Sequence, residues 1–301
     1  MNANDDAEFV ISDELIQKVR AGMGLYFSKI NLIDPDTLVA DMLDPMRPIR
    51  AHDILSRYVD TKGKKILEIG SGYGVSLVSW TKKLNLNVTG IEPEGEGFSE
   101  TVEISKNLCI LNGVSKDKIV ATAGEKLPFG NDSFDIVYSA NVIEHTSDPK
   151  AILSEAIRVL KPGGVLHFEM PNYTSYFEGH YMIMMPPVLF KSLLPWWVKN
   201  IYHRDASFAE KLHTEINPFW LRKTLKNIAK KYPLEIISLG EEVFCERLKS
   251  PSFNFEYKST KNLLSPIIGF LQKVNISGLI ARMFVNMQAH YPIYLTLKKI
   301  S

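Results

Sequence analysis

The stretch Ile66-Leu-Glu-Ile-Gly-Ser-Gly-Tyr-Gly74 decides the fold that the 301-residue sequence predicts. An apolar, strand-like run leads into a glycine-rich turn, and a helical pattern begins directly afterwards at Val75. Glycines at 70, 72 and 74 permit backbone conformations and a close approach that a β-carbon would forbid. We therefore predict a nucleotide-type α/β fold in which a flat ligand lies against this turn.

Outward from this turn, short β-branched runs alternate with helical patterns, which is typical of βαβ units on a parallel sheet. The predicted core strands are Lys65–Ile69, Asn87–Glu92, Lys118–Ala123, Phe134–Ser139 and Val165–Met170. The predicted helices between them are Val75–Leu84, Ser99–Leu111 and Pro149–Leu160. With two further strands at Leu234–Leu239 and Tyr291–Lys298, the pattern predicts a doubly wound, mostly parallel, seven-stranded Rossmann-like sheet.

The remaining segments divide the chain into four regions. Residues 1–61 are predicted as a helical N-terminal cap, and residues 62–172 as the Rossmann-like core. Residues 173–233, rich in aromatics, Met and Pro, are predicted as a substrate-side insertion or lid. Residues 234–301 are expected to supply the final strands, with a helical insertion at about Thr260–Met287. Lys161-Pro-Gly-Gly164 is interpreted as a turn before the fifth strand.

Composition and charge narrow the classes of function. The formal net charge is +1, so no excess of basic residues predicts nucleic acid as a partner. The two cysteines form no CxxC pair, and the N-terminus is acidic and polar, so we expect a reducing, cytoplasmic setting. Charged residues and prolines interrupt the apolar stretches Tyr181–Val198 and Leu263–Val285, so neither is predicted to span a membrane. Peripheral contact with the inner face of the membrane stays open but is not favoured.

Two acids follow the strands of the predicted site. Glu68 stands near the end of a buried strand, where a carboxylate is costly unless a cation or several donors meet it. Glu92 closes the second strand about 20 residues after the glycine turn, where nucleotide folds place an acid on ribose hydroxyls. The alternatives are a bond from Glu68 to backbone amides alone and a solvated strand-end acid at 92.

The spacing of the glycines separates two families of nucleotide fold. A dinucleotide fingerprint requires a glycine or alanine where Val75 stands. The pattern Glu-x-Gly-x-Gly-x-Gly instead resembles the leading motif of class I S-adenosylmethionine-dependent methyltransferases, in particular the quinone-pathway, or methyltransferase type 11, group. The resemblance implies S-adenosyl-L-methionine as cofactor. It would be held by Glu68, Gly70, Ser71, Gly72, Gly74 and Glu92, with Pro93 beside the adenine.

Two later segments extend this resemblance over roughly a third of the chain. Thr122-Ala-Gly-Glu-Lys-Leu-Pro-Phe129 is similar to the family segment Gly-Asp-Ala-Glu-x-Leu-Pro-Phe, but Ala123 stands where an aspartate commonly reads adenine. Base recognition would then fall to the backbone around Gly124 or to Glu125. Ser139-Ala-Asn-Val-Ile-Glu-His145 resembles the stretch that faces the methionine moiety, which assigns Asn141 to the cofactor.

The pair Glu144-His145 is the candidate for acceptor-side chemistry. In some relatives an additional upstream Glu joins such a pair in holding a divalent metal, but Asn141 replaces it here. One carboxylate and one imidazole are too few ligands, so no metal is predicted. His145, or His180 further along, is instead predicted as the base that receives the acceptor's proton, because imidazole titrates near neutrality. A purely structural role for His145 is given equal weight.

The segment after the fifth strand should overhang the reactive methyl group, because ligands of open α/β sheets bind outside the carboxyl ends of the strands. Asn172, Tyr173 and Glu178 are therefore candidate substrate contacts, and His213 is a candidate at the rim. The alternative is a loop held by its own aromatics. The Met- and Trp-rich strip at residues 182–198 is interpreted as core or pocket wall ahead of a membrane-contacting surface.

Taken together, the sequence predicts methyl transfer to an acceptor heteroatom, with oxygen favoured. The acceptor is expected to be a small molecule or a medium-sized molecule such as a glycan or a lipid-linked compound. Two alternatives remain at this stage, a nucleotide-dependent oxidoreductase and a non-catalytic cofactor-binding module. The sequence predicts no oligomeric state.

Overall fold

The computed structural model of the chain describes residues 9–94, 99–250 and 258–300. Its centre is a seven-stranded sheet, accompanied by a short two-stranded one. The strands are β1 Lys65–Ile69, β2 Asn87–Glu92, β3 Ile119–Ala121, β4 Phe134–Ala140, β5 Leu160–Met170, β6 Phe177–Glu178, β7 Ile183–Met184, β8 Leu234–Ser238 and β9 Ile293–Lys299. The large sheet has the order β3-β2-β1-β4-β5-β9-β8, and β6 pairs with β7.

The large sheet confirms the predicted α/β architecture. Strands β1 to β5 are parallel, and β9 runs antiparallel to its neighbours β5 and β8. The chain moves outward from β1 to β2 and β3, and then crosses back to β4 on the other side of β1. Such a reversal of direction opens a crevice at the carboxyl ends of the two central strands. The glycine-rich turn after β1 lies at this point.

Four helices precede the sheet: α1 Asp13–Val19, α2 Leu25–Asn31, α3 Pro35–Met42 and α4 Arg47–Leu55. A π-helical turn, Arg20–Gly24, joins α1 to α2. Helix α3 begins after Asp34, whose carboxylate accepts a hydrogen bond from the Thr37 amide and so satisfies an otherwise unpaired donor. The indole of Trp80 donates to the Pro48 carbonyl, which fastens α4 to the core.

Three helices connect the core strands, α5 Val75–Leu84, α6 Ser99–Leu111 and α7 Pro149–Val159, and all three confirm the sequence prediction. Helix α7 begins with proline at its first position, and the Asp148 carboxylate accepts hydrogen bonds from the amides of Lys150 and Ala151. This cap holds the start of α7 beside the segment that follows β4.

Five further helices belong to the C-terminal half: α8 Leu193–Asn200, α9 Pro218–Ile228, α10 Glu241–Lys249, α11 Lys258–Lys273 and α12 Ser277–Asn286. Within the ranges given above, no single helix has both the length and the apolar composition needed to cross a bilayer. Residues 265–286 of α11 and α12 reach that composition only as a pair, across a bend of 115°.

Several predicted bounds are wrong in detail. Strand β5 starts at Leu160 rather than at residue 165, because Lys161 to Gly164, interpreted as a turn, form a bulge inside the strand. Strand β3 is limited to three residues, since a 3₁₀ turn occupies Lys116–Lys118. The helical insertion at Thr260–Met287 is two helices, and α10 before it was not predicted.

The core lies on both faces of the sheet, as parallel sheets require. Neighbouring residues of a strand alternate between two apolar clusters: Leu67 and Val137 face one layer, while Ile66 and Ile136 face the other. All four side chains are fully buried. The sheet is therefore a rigid platform, and the loops at its carboxyl edge carry the polar groups described next.

Candidate cofactor and acceptor site

The turn after β1 is bound to the end of β2 through its backbone. The amides of Gly70 and Ser71 both donate to the Ile91 carbonyl, at 3.0 and 2.9 Å. Gly70 has φ +75°, and a β-carbon there would lie 2.2 Å from Cγ2 of Val142. No other residue type fits this position without displacing Val142, so glycine is required by both conformation and space.

Glu92 closes the same corner from the second strand. Its Oε2 accepts a hydrogen bond from the Gly72 amide at 2.9 Å. The side chain is buried, and burial raises the pKa of its carboxyl to about 7, while the Gly72 donor acts in the opposite direction. The acid is thus held at the tip of the turn, where it can accept hydrogen bonds from two adjacent hydroxyls.

Glu68 lies below the turn, near the end of β1. Burial raises the pKa of its carboxyl to about 7, and a hydrogen bond from the Ser76 hydroxyl and the charge of Arg47 oppose this. Its Oε2 has no hydrogen-bond partner among the described residues. A buried acceptor without a donor costs on the order of 1–3 kcal/mol, so this atom is suited to a cationic or hydrogen-bond-donating ligand.

The segment after β3 lies on the other side of the crevice. Oε1 of Glu125 accepts from the Ser147 amide at 2.9 Å and from its hydroxyl at 2.8 Å. Burial pushes the pKa of this carboxyl up, but the hydrogen bonds from Ser147 and from the backbone amides of Glu125 and Asp148 together outweigh it and hold the pKa below its ordinary value. Because Ser147 already occupies this oxygen, Gly124, whose backbone lines the crevice, is the better placed of the two candidates to meet a base.

One large cavity, of about 800 Å³, joins these groups. It is lined by eleven of the predicted site residues, Glu68, Gly70, Ser71, Gly72, Glu92, Pro93, Gly124, Glu125, Asn141, His145 and His180. Asn141 has φ +54°, and its amide donates to the Glu169 carbonyl, which fixes the backbone after β4. Gly74 does not line the cavity; with φ +79° it forms the N-cap of α5.

Three groups meet beside this cavity: His145 and His180, which line it, and the fully buried Glu144. Glu144 and His145 belong to a 3₁₀ turn, Ile143–His145, and His180 comes from the connection between β6 and β7. The Nε2 atoms of His145 and His180 are 3.2 Å apart. Glu178, predicted as a substrate contact, lies behind them instead, with its Oε1 2.6 Å from Nδ1 of His180 and its Oε2 accepting from the Tyr181 amide.

The three groups differ in their protonation. Burial raises the pKa of Glu144 to about 7, although the charge of His180 opposes it. Burial, with the nearby His180 and His213, holds the pKa of His145 well below its ordinary value. Burial also lowers the pKa of His180, but the contact with Glu178 and the charge of Glu144 outweigh it, so the net pKa is raised. The direction of the His145 pKa shift favours its neutral imidazole.

Three other predicted substrate contacts do not line the cavity. The side-chain amide of Asn172 donates through Nδ2 to the backbone carbonyls of Gln288 and His290, and it connects the end of β5 to the segment before β9. Tyr173 is buried in the core, and its amide donates to the Ile216 carbonyl. His213 contacts the Thr146 carbonyl through Nε2 and Glu215 through Nδ1. These side chains hold the loops around the site, and their contact with an acceptor stays a prediction.

The sequence analysis missed an apolar wall of the cavity. It comprises residues of α2, α3 and the C-terminal helices, among them Phe27, Leu38, Ile268, Leu271, Ile280 and Phe284. Leu271 follows Ile267 and Ile268 by helical spacing, as Phe284 follows Ile280, and this periodicity was the available signal. It could not show which side of each helix faced the cavity.

Comparison with known proteins indicates the family to which the central part of the chain is similar. The family described as methyltransferase domain matches residues 67–168, the part of the chain that contains the glycine turn, Glu92 and His145. Residues 67–168 form a class I S-adenosylmethionine-dependent methyltransferase domain. S-adenosyl-L-methionine is accordingly the cofactor of this methyltransferase domain, and the oxidoreductase alternative is set aside.

Individual relatives agree with this assignment over part of the chain. The ubiquinone biosynthesis O-methyltransferase of Klebsiella pneumoniae (strain 342) is 27% identical over 130 residues, which are 43% of this chain and 52% of that protein. An uncharacterised protein of Mycobacterium tuberculosis (strain CDC 1551 / Oshkosh) is 32% identical over 122 residues, 40% of each chain. The chain thus spans about half the length, or less, of these curated relatives.

A solved structure extends the likeness in fold. Phosphoethanolamine N-methyltransferase 2 of Haemonchus contortus, in complex with S-adenosyl-L-methionine, superposes with a TM-score of 0.51 at 14% identity. The match covers 97% of this chain and 61% of that chain. At this level of identity the similarity supports the fold of the methyltransferase domain.

Proposed function

We propose that the whole chain transfers the methyl group of S-adenosyl-L-methionine to an oxygen of an acceptor with an extended apolar body, such as a lipid-linked molecule. A single observation carries this proposal. One cavity is lined by the glycine turn and Glu92, by His145 and His180, and by apolar residues of α3, α11 and α12. Donor, reacting oxygen and apolar body would therefore bind in one continuous space.

The cofactor end would bind the donor through complementary groups. The Glu92 carboxylate would accept from the ribose hydroxyls, and Oε2 of Glu68, which has no hydrogen-bond partner among the described residues, would accept from the amino-acid end. Gly70 and Gly72 have no side chain, and the hydroxyl of Ser71 donates to the Ile91 carbonyl, so the nucleoside could approach the backbone of the turn closely. The amide of Gly72 holds Glu92 in place before the donor binds.

Methyl transfer from a sulfonium is an in-line displacement, in which the acceptor oxygen forms a bond to the methyl carbon as the bond to sulfur breaks. Positive charge on sulfur disperses in the transition state, so the protein chiefly aligns the two reactants and excludes water. The acceptor hydroxyl must also lose its proton. His145 lines the cavity, and the direction of its pKa shift favours the neutral imidazole, whose unprotonated nitrogen would receive that proton.

His180 would assist through its position beside His145. Glu178 contacts Nδ1 of His180, which turns the opposite nitrogen toward the His145 ring. A proton that reaches His145 could therefore be shared with His180. The predicted role of these two residues as base thus remains part of the proposal.

The experiment is incubation of the purified protein with methyl-radiolabelled donor and fractionated cell extract. We expect label in an organic-soluble fraction, as a methyl ether or ester, and much less label with His145→Ala. Label confined to RNA or to protein would contradict the proposed acceptor class. Tight donor binding with no label in any fraction would instead favour the non-catalytic binding module.

The role of the apolar wall in acceptor binding can be tested in the same assay by substituting two adjacent residues of α12. Ile280 lines the cavity, whereas Leu279 is 64% exposed on the outer side. A carboxylate placed in an apolar wall is costly, so Ile280→Asp should raise the KM for the acceptor roughly tenfold or more, and Leu279→Asp should not. Equal effects of both substitutions would show that the apolar wall does not bind the acceptor.

A further inference from the structure

Three potential ligand atoms converge at the acceptor end of the cavity. They are Oε1 of Glu144, Nε2 of His145 and Nε2 of His180, and they come from two segments far apart in the chain. Nε2 of His145 is 3.2 Å from that of His180, and Oε1 of Glu144 is 3.6 and 3.7 Å from these two nitrogens. The sequence analysis predicted no metal because Glu144 and His145 supply only two ligands. His180, which lies 35 residues further along the chain, is the third.

These distances match a metal-centred triangle. A point in the plane of the three atoms lies about 2.0 Å from each of them, which is the length of Zn–N and Zn–O bonds in proteins, roughly 2.0–2.2 Å. A divalent ion at or slightly outside this plane would therefore contact all three atoms without movement of the backbone. Two imidazoles and one carboxylate form a ligand set that suits Zn²⁺, Fe²⁺ or Co²⁺ better than Mg²⁺ or Ca²⁺.

Glu144 supplies an independent reason for a cation at this point. Its side chain is fully buried, and among the described residues no other residue forms a hydrogen bond with either carboxylate oxygen; the only donor acting on its pKa is its own backbone amide. Buried carboxylates in proteins are paired or bound to metal ions, because an isolated one is costly. Among the described residues, the basic groups within 4 Å of Oε1 are the two imidazoles.

The surroundings of His180 have the form expected around a metal ligand. Its Nδ1 lies 2.6 Å from Oε1 of Glu178, and the other oxygen of Glu178 accepts from the Tyr181 amide. A ligating histidine commonly donates its second ring N–H to a carboxylate, which fixes the tautomer and directs the lone pair of the other nitrogen at the metal. Here that nitrogen lies 3.2 Å from Nε2 of His145 and 3.7 Å from Oε1 of Glu144.

We propose that Glu144, His145 and His180 bind one divalent transition-metal ion, with Glu178 as the positioning residue for His180. His145 and His180 line the cavity, so the remaining coordination position would face the acceptor. With the ion bound, Nε2 of His145 and Nε2 of His180 would be ligands and not bases, so the cation itself would hold an acceptor oxygen and favour its deprotonated form. This last role rests on the proposed methyl transfer, whereas the binding of the ion does not.

The test uses the full chain, stripped with a chelator and then titrated with Co²⁺ alone, followed by calorimetry and visible absorption. We expect one equivalent to bind, with a d–d spectrum of nitrogen and oxygen ligation. Glu144→Gln and His180→Gln should each weaken Co²⁺ affinity at least tenfold. His203→Gln is the matched control, because His203 is an exposed histidine.

A direct hydrogen bond between the two histidines is the competing explanation of their 3.2 Å contact. Under that explanation, the wild-type protein would bind no Co²⁺, or both variants would bind it as the wild type does; either result overturns the proposal. If a variant fails to fold, the visible spectrum of the wild-type protein with Co²⁺ still shows whether the ion is bound by nitrogen and oxygen ligands. A separate titration of the wild-type protein with S-adenosyl-L-methionine measures donor binding. If the protein binds Co²⁺ but not the donor, only the methyltransferase function is refuted.

Discussion

The backbone amide of Gly72 donates a hydrogen bond to Oε2 of Glu92 across 2.9 Å, and this bond joins the turn after β1 to the end of β2. It holds the acid in the crevice at the point where the order of the strands reverses. The carboxylate is therefore oriented before a ligand arrives, so little freedom is lost when hydroxyls of the ligand bind to it.

Removing the charge of Glu92 should weaken donor binding. A hydrogen bond to a charged group contributes about 1.5–3 kcal/mol, so Glu92→Gln should lower the affinity for S-adenosyl-L-methionine about 10- to 100-fold. Isothermal titration calorimetry measures this change. Glu94→Gln is the matched control, because Glu94 is exposed and two residues away, and it should bind the donor as the wild type does. Equal affinities for both variants would exclude Glu92 from ribose recognition.

The affinity for the donor should depend on pH near neutrality. Burial raises the pKa of Glu92 from 4.5 to about 7, so the protein free of ligand carries a partly protonated acid at pH 6 and a carboxylate at pH 8. The carboxylate is the form that accepts two hydroxyl donors, so affinity should rise as pH increases through 7. Calorimetry at pH 6, 7 and 8 tests this, and Glu92→Gln should show a smaller dependence. An affinity that falls with rising pH would contradict the assignment.

Space at Gly70 should be as important as its conformation. Gly70→Ala places a β-carbon against Val142 at a positive φ, whereas Gly63→Ala has a similar φ of +67° and no atom within 4 Å. Gly63→Ala should cost about 1–2 kcal/mol of unfolding free energy from the left-handed backbone alone. Gly70→Ala should cost a further 1–3 kcal/mol or so from overpacking and should also lose donor binding.

The double variant Gly70→Ala/Val142→Ala provides the decisive comparison. Because the substitution at 142 removes the two methyl groups nearest to the new β-carbon, part of the lost stability should return in urea unfolding. If Gly70→Ala alone is no less stable than Gly63→Ala, the close contact with Val142 is not the constraint.

His145 should affect turnover more than donor binding. Loss of a general base costs about 10²- to 10⁴-fold, so His145→Ala should lower turnover by roughly 100-fold or more, with little change in affinity for S-adenosyl-L-methionine. Initial rates of label incorporation and calorimetry supply the two readouts. His203→Ala, at an exposed site, should retain full turnover. Wild-type turnover in His145→Ala would remove this residue from the reaction.

The cofactor half of the site could be predicted from the sequence because its residues follow consecutive strands of a parallel sheet. Glu68 and the glycine turn follow β1, and Glu92 ends β2, so sequence spacing translates directly into position at one edge. The departure at Ala123 was also visible, but the hydrogen bonds from Ser147 to Glu125 were not, because they depend on how the start of α7 is capped.

The acceptor half could be predicted only in part, since it depends on contacts between distant segments. Asn172 directly follows β5 and was expected over the reactive methyl, but its amide is drawn to the carbonyls of Gln288 and His290, over 100 residues away. His180 meets His145 because the small β6–β7 sheet folds back over the crevice, and neither two-residue strand has a recognisable pattern. The spacing of apolar residues in α11 and α12 indicated an apolar face on each helix, but it could not show that this face lines the cavity.

The most direct test of the central claim is calorimetric titration of the purified chain with S-adenosyl-L-methionine, S-adenosylhomocysteine and NAD. The geometry of the turn and of Glu92 predicts one site that binds both sulfur nucleosides and not the dinucleotide. Binding of NAD, with no heat from either sulfur nucleoside, would contradict the assignment of the cavity and every role derived from it.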